Sequence, residues 1–351
     1  MRIVVKIGSK VLCDPSGALN KAVLGSLAEQ AADLEKSGSE VLLVSSGAVA
    51  AGQGLVNEHS CPGDPVKRRQ VLAAAGQVRL MQTWQSLFAG HGLTIAQVLA
   101  SKSDFQTRSH YLNMRQCIEG ILEANMIPVI NENDTVSVTE LMFTDNDELA
   151  GLIASMVNAD LLYLLSSVPG VLDDRGEVIS QWDEHRHDAE ALVSAGANAL
   201  GRGGMHSKIS TARKISALGT RVIIADGRAP GVLQPGEAET HPGTLFRAAA
   251  GATPAKRWLA SADDHATGAV LVNQGAADAL QDDSRLTSLL PVGIVKLEGQ
   301  FQRGDVIRII DPSGNMIGCG RAQYDHAEAQ QVVGVKGEKP VIHYDYLYLV
   351  R

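Results

Sequence analysis

Aromatic residues are scarce in this chain, at 4%, so whatever core it builds must come from Val, Ile, Leu and Ala. Long apolar runs are missing as well: none approaches the roughly 18 residues of a membrane-spanning helix. The amino terminus, "MRIVVKIGSK", has an apolar run of only three residues before Lys6, too short for the core of a signal peptide. Positive charge is in deficit, with a net charge of -8. Phosphate backbones and anionic surfaces call for a surplus of Lys and Arg, so the balance argues against nucleic acid and against a membrane as partner. The four cysteines, Cys13, Cys61, Cys117 and Cys319, form no C-x-x-C pair and stand near no His cluster at ligand spacing. They read as reduced thiols, and the expected location is cytoplasmic.

What is present is ample apolar matter, 45% of 351 residues, enough for two domains of unequal size. Short Val/Ile/Leu runs recur at 3–7, 40–46, 93–100, 127–131, 160–167 and 221–225. Runs that are continuous rather than alternating read as strands buried on both faces. Helical periodicity fills the intervals, at 24–38, 66–89, 110–125, 145–158 and 205–218. The expected architecture is α/β: a three-layer sandwich with a mainly parallel central sheet between helix layers. After residue 250 the texture becomes β-rich, Gly-punctuated and nearly free of helix. The stretch "ATPAKRW", 252–258, has the composition of a linker. The expected domains are therefore 1–252 and 253–351, the second a small β-rich unit.

In a parallel sheet, ligands bind outside the carboxyl ends of the strands, and three kinds of motif fall there. "PVINENDTVSVTELMFTDND", 128–147, offers five acids and three asparagines within its last seventeen residues. Asp145 or Asn146 can cap the following helix, but one cap needs one residue. The surplus suits a small, highly polar, partly cationic substrate. Lys6 lies near the end of an apolar strand just before Gly8, where a buried ammonium calls for an anionic partner, a ligand or a structural carboxylate, unless the side chain snorkels out at the strand end. "VSSGAVAAG", 44–52, brings Ser46 and Gly47 to a strand-to-helix turn that serves equally as a tight connection or an anion site. "GRGGMHSK", 201–208, is a third Gly-rich loop, with Arg202 and Lys208. It matches neither the dinucleotide fingerprint nor the P-loop, though its charge suits phosphates.

Taken in order, "VVKIGSKVL", "VSSGAVAAG", "AAAGQVRLM", "PVINENDTVS", "TDNDELAG" and "GRGGMHSKISTA" resemble the glutamate 5-kinases of the amino-acid kinase family. "ATPAKRW" and "GQFQRGDVIRI" resemble that family's carboxyl-terminal PUA domain. The resemblance implies transfer of the γ-phosphoryl group of ATP, with Mg²⁺, to the side-chain carboxylate of L-glutamate, the opening step of proline biosynthesis. It implies catalytic roles for Lys6, Lys208 and Asp147, the aspartate orienting the two lysines. Ser46, Asp134 and Asn146 match glutamate-binding positions, with Asp134 facing the substrate ammonium. Nucleotide contacts fall to Lys6, Gly8, Gly47, Ser166, Ser167, Arg202, Gly203, Gly204, Met205, His206, Ser207 and Lys208. No residue is assigned as a metal ligand. Further implied are a homo-oligomer, proline as feedback inhibitor, and glutamyl-phosphate reductase as a channelling partner.

The chain departs from the family pattern in "SSVPGVLDDRGEV", 166–178, where Ser167 replaces an aspartate and the loop is short. Arg202 stands where a small residue is frequent. Two rival readings are other amino-acid kinases, such as acetylglutamate or aspartate kinases, and an RNA-binding or RNA-modifying protein built on the PUA-like part. Residues 254–351 carry ten Lys and Arg against twelve Asp and Glu, the wrong sign for RNA.

Overall fold

Each of the six apolar runs becomes a strand: β1 (Arg2–Ile7), β2 (Glu40–Ser45), β3 (Thr94–Ala100), β4 (Met126–Glu132), β5 (Leu161–Ser166) and β6 (Arg221–Asp226). The structure is a computed structural model that describes residues 1–14, 18–56, 61–105, 108–136, 145–184, 186–187, 204–234, 241–249, 259, 266–282 and 287–349. With β7 (Thr244–Phe246) the strands form one sheet in the order β3-β4-β2-β1-β5-β6-β7. All pairings are parallel except β6 with β7. β1 sits near the middle, with Lys6 in register with Val44 on one side and Leu164 on the other.

Alternate residues of these strands serve two helix layers. Ile3, Val5 and Ile7 of β1 join Leu43, Val129 and Tyr163 in a cluster with Leu24, Leu27 and Ala31 of α2 (Lys21–Lys36) and with Leu80, Trp84 and Phe88 of α4 (Pro65–Ala89). The opposite parity, which includes Lys6, meets α6 (Asn146–Met156). Alongside α6 packs α7 (Gly204–Ala217). The remaining connections are α1 (Ser9–Leu12), α3 (Ala48–Gln53) and α5 (Arg108–Glu123). At the amino-terminal edge of the sheet, Arg2 binds Glu40 at 2.8 Å and Glu119 at 3.0 Å, which leaves the carboxyl edge for chemistry.

One strand departs from expectation. β3 has the same apolar texture as its neighbours but is the last strand in the order, and most of its residues are only partly buried or exposed. A strand at a sheet edge lacks a partner on one side, and a continuous apolar run does not distinguish it from a central strand.

The chain divides into two compact units, one of residues 1–104 with 109–251, the other of 105–108 with 252–351. The second holds a five-stranded sheet of order β12-β11-β10-β8-β9, built from β8 (Gly268–Val272), β9 (Ile294–Gly299), β10 (Val306–Ile310), β11 (Met316–Ala322) and β12 (Ile342–Leu349). Its core is Val270, Ile307, Ile309, Ile317 and Ile342, with Phe301. It is not nearly free of helix: α8 (Gln274–Gln281) and α9 (His326–Val332) both pack on that core, through Ala277, Leu280 and Ala329. The proposed linker 252–258 lies outside the described residues.

Candidate active site

Four strand ends and two helix starts deliver the polar residues singled out in the sequence. β1 carries Lys6 and runs into Gly8, whose amide donates to Leu165 O at 3.3 Å. β2 ends at Ser45; Ser46 follows, its amide donating to Ile7 O at 3.1 Å. Gly47 then starts α3 at φ 103°, a left-handed conformation in which any other residue would be strained. Beyond β4 come Asn133 and Asp134. Ser166 closes β5 and accepts the Gly227 amide at 2.9 Å, with Ser167 next in the chain. Gly204, Met205, His206, Ser207 and Lys208 form the first turn of α7. Arg202 and Gly203 lie outside the described residues, as do residues 137–144.

The start of α6 divides the work among three polar residues. Asp145 is the cap, its Oδ1 accepting the amides of Asp147 and Glu148 at 2.9 and 3.1 Å. That frees Asn146 and Asp147 to turn toward the strand ends. Asp147 Oδ1 meets Lys6 Nζ at 2.6 Å, and its Oδ2 meets Lys208 Nζ at 2.5 Å. The three side chains are 1%, 5% and 11% exposed in the order Asp147, Lys6, Lys208. Burial alone would push the Asp147 carboxyl up, but the two lysines outweigh it and hold it below the ordinary carboxylate range. Burial lowers the Lys6 ammonium below the usual lysine value, against the pull of Asp147 and with the repulsion of Lys208. One carboxylate in direct contact with two lysines leaves an excess of positive charge in a poorly hydrated place, offset in part by Asp145, whose charge also bears on Lys6. An anionic ligand relieves that imbalance.

Beside this cluster runs a chain of amides. Asn146 Nδ2 donates to Ser46 Oγ at 2.8 Å and to Asn131 Oδ1 at 3.1 Å, and Asn131 Nδ2 donates to Gln77 Oε1 at 2.9 Å. Each step fixes which end of the next amide faces inward. Two atoms at this chain's ends, Asn146 Oδ1 and Gln77 Nε2, are buried and have no hydrogen-bond partner among the described residues. Gln77 lies inside the stretch "AAAGQVRLM", 73–81, where the sequence marks no residue for an individual role. A Cβ at Gly76 would collide with Ala48 O, and one at Gly52 with Leu72 O, so α3 and α4 touch backbone to backbone. Asp134 bonds Arg69, from Nη2 at 2.8 Å and Nε at 3.3 Å.

Glycine turns, a Lys–Asp–Lys cluster with surplus positive charge and an amide-lined neighbour are equipment suited to holding phosphate groups beside a small polar molecule. Comparison with known proteins agrees. The amino acid kinase family model matches residues 1–226, and the PUA domain model residues 268–344. The chain is 49% identical over 354 residues to a glutamate 5-kinase of Chlorobaculum tepidum, covering 99% of this chain and 97% of the relative. It is 41% identical over 357 residues to one of Bacteroides thetaiotaomicron, covering 99% and 98%. It is 40% identical over 367 residues to one of Pseudomonas fluorescens, also covering 99% and 98%. The chain belongs to the amino acid kinase family, in its glutamate 5-kinase branch.

Proposed function

We propose that the protein transfers the γ-phosphoryl group of ATP to the side-chain carboxylate of L-glutamate, giving glutamyl 5-phosphate and ADP as the first step of proline biosynthesis. The observation that carries this reading is Asp147 gripping Lys6 and Lys208 at the carboxyl edge of the sheet, in a chain whose relatives are glutamate 5-kinases over nearly their full length.

A side-chain carboxylate with a pKa of about 4.3 is already ionised at neutral pH, so the nucleophile needs no general base. One of its oxygens forms a bond to the γ-phosphorus while the bond to the β,γ-bridging oxygen breaks, and ADP leaves with that electron pair. No proton moves. The work left to the protein is alignment and charge neutralisation. Lys6 and Lys208 supply two point charges to the transferring group, and Asp147 fixes their separation through its two oxygens. Ser46 and Asn146 hold the acceptor, with Asp134 taking its ammonium. Gly8, Gly47, Ser166, Ser167 and the first turn of α7 serve the nucleotide.

Among the described residues no group of three or more His, Cys, Asp or Glu is placed to hold a metal. Mg²⁺ would enter as the companion of the ATP phosphates and neutralise part of their charge. None of the described helices is long and apolar enough to cross a membrane. A cytoplasmic location rests instead on the biosynthetic role proposed for the reaction. Incubation with ATP, Mg²⁺, hydroxylamine and a panel of acidic amino acids tests the reading: glutamate alone should yield the hydroxamate of an acyl phosphate. Equal trapping with aspartate or N-acetylglutamate would refute the substrate assignment.

A further inference from the structure

One face of α4 is turned toward the segment that leaves β4. Gln77 meets Asn131, Gln70 Nε2 donates to Thr135 O at 2.8 Å, and Arg69 holds Asp134. The backbone contact of α3 with α4 at Gly52 and Gly76 fixes how far α4 stands from Ser46, which lies just before the Gly47 cap of α3. Arg69 is thus held against that loop from a rigid helix.

The geometry of the Arg69–Asp134 pair is one-sided. Both of its hydrogen bonds come from the Nε and Nη2 edge of the guanidinium, and both go to Oδ1 of the carboxylate. Asp134 Oδ2 and Arg69 Nη1 have no partner among the described residues, and the Arg69 side chain is 46% exposed against 11% for Asp134. Within this one ion pair, then, the carboxylate keeps an unengaged acceptor and the guanidinium an unengaged cationic donor. The head group of an α-amino acid carries the complementary pair, an ammonium and a carboxylate on one carbon.

Resting on the functional reading above, we propose that Arg69 binds the α-carboxylate of the acceptor amino acid while Asp134 Oδ2 takes its ammonium. The ion pair need not open, because each partner offers the substrate its unengaged side. Four charges of alternating sign then neutralise one another around the α-carbon. An arginine suits this double duty because its planar fork has two edges, one for each carboxylate. Arg69 would also set specificity: an acceptor without an α-carboxylate would leave the guanidinium half matched.

Two analogues separate the halves of the head group. 4-Aminobutyrate keeps the amine and the reacting carboxylate but lacks the α-carboxylate; glutarate keeps both carboxylates but lacks the amine. Hydroxamate formation from glutamate by the unaltered full chain comes first, and its absence would sink the kinase reading itself. Given that activity, Arg69→Ala should raise the glutamate KM at least about tenfold with the ATP KM unchanged, as expected for loss of a charge-assisted contact. The penalty for replacing glutamate by 4-aminobutyrate, measured as acceptor or as competitive inhibitor, should be large in the unaltered protein and nearly vanish in Arg69→Ala. The penalty for glutarate should persist. Arg69→Lys should recover part of the glutamate affinity, which guards against misfolding as the cause. A fall in glutamate KM on Arg69→Ala would show that Arg69 competes with the substrate for Asp134. Equal losses for glutamate and 4-aminobutyrate would show a structural role; either result overturns the proposal.

Discussion

Lys6 Nζ and Asp147 Oδ1 stand 2.6 Å apart with both side chains almost wholly buried. The same aspartate holds Lys208 with its other oxygen, so neither lysine is a simple surface cation awaiting phosphate. Each has two jobs, satisfying a core carboxylate and presenting charge to a ligand. Substitutions here must therefore be read on stability and rate together.

Lys6→Met and Lys208→Met each remove the charge but keep most of the stem. We expect turnover to fall by at least ~10²-fold, the usual effect of losing one preorganised electrostatic contact. Breaking a buried pair costs about 3 to 5 kcal/mol when the remaining charge is stranded, and less here because Asp147 keeps its second lysine. Thermal unfolding followed by circular dichroism should show a lowered Tm with a cooperative transition. A folded Lys6→Met protein with wild-type hydroxamate formation would make Lys6 purely structural.

The depressed Lys6 ammonium gives the pH profile a direction. A lysine whose folded pKa lies below its ordinary 10.5 loses its proton earlier as pH rises. Its charge is complete below the lowered value and lost above it. The kcat/KM for ATP reports the free enzyme, so its alkaline limb should begin below 10.5. A profile flat up to that pH would show that the Lys6 charge is not needed in the free enzyme. Asp147 imposes the opposite limit: its lowered pKa means that its stabilising charge persists below the ordinary carboxylate range and is lost only as pH falls through the folded value.

Much of the fold was legible because both faces of the sheet are covered, which makes strands such as β1, β2 and β5 read as unbroken apolar runs. β3 shared the run but not the burial, since its place at the sheet edge depends on strand order rather than on its own residues. α8 does not stand out in the sequence although Asn273 precedes it and accepts the Ala276 amide at 2.9 Å, and although Ala277 and Leu280 give it a buried face; two turns beside a strong strand signal are too short a window for the helical period to be read. At the site, Lys6, Asp147 and Lys208 come from distant segments that only the fold brings together, so in the sequence nothing but family resemblance groups them. Arg69 carries no sequence signal because it is an ordinary polar residue inside a long helix, and Gln77, although within "AAAGQVRLM", has no role legible from its own residue type. Their meaning lies in what β4 places opposite them.

Gln77 offers a test of the amide chain. Its Oε1 accepts from Asn131, and Asn131 in turn orients Asn146. Gln77→Leu removes the acceptor and lets the Asn131 amide turn, so the glutamate KM should rise several-fold, the effect of about one neutral hydrogen bond. The ATP KM should not move. Gln77→Glu keeps an acceptor at the same reach and should lose less. If the Glu and Leu variants are equally impaired, orientation of Asn131 is not what Gln77 contributes.

The final prediction concerns residues 253–351. Every residue given a catalytic or binding role lies before residue 209, and the carboxyl-terminal unit has its own core around Ile307, Ile309 and Ile342. A unit with its own core need not share in the folding of its neighbour. Truncation after residue 252 should therefore leave glutamate-dependent hydroxamate formation within a few-fold of the full chain, while assembly or regulation changes. Residues 254–351 contain ten Lys and Arg against twelve Asp and Glu, so the isolated segment should bind RNA weakly and with little dependence on salt. A steep fall of affinity with salt, at a log-log slope matching several phosphate contacts, would overturn that charge argument. A truncated protein that stays folded by circular dichroism yet makes no hydroxamate would place part of the catalytic machinery in the carboxyl-terminal unit.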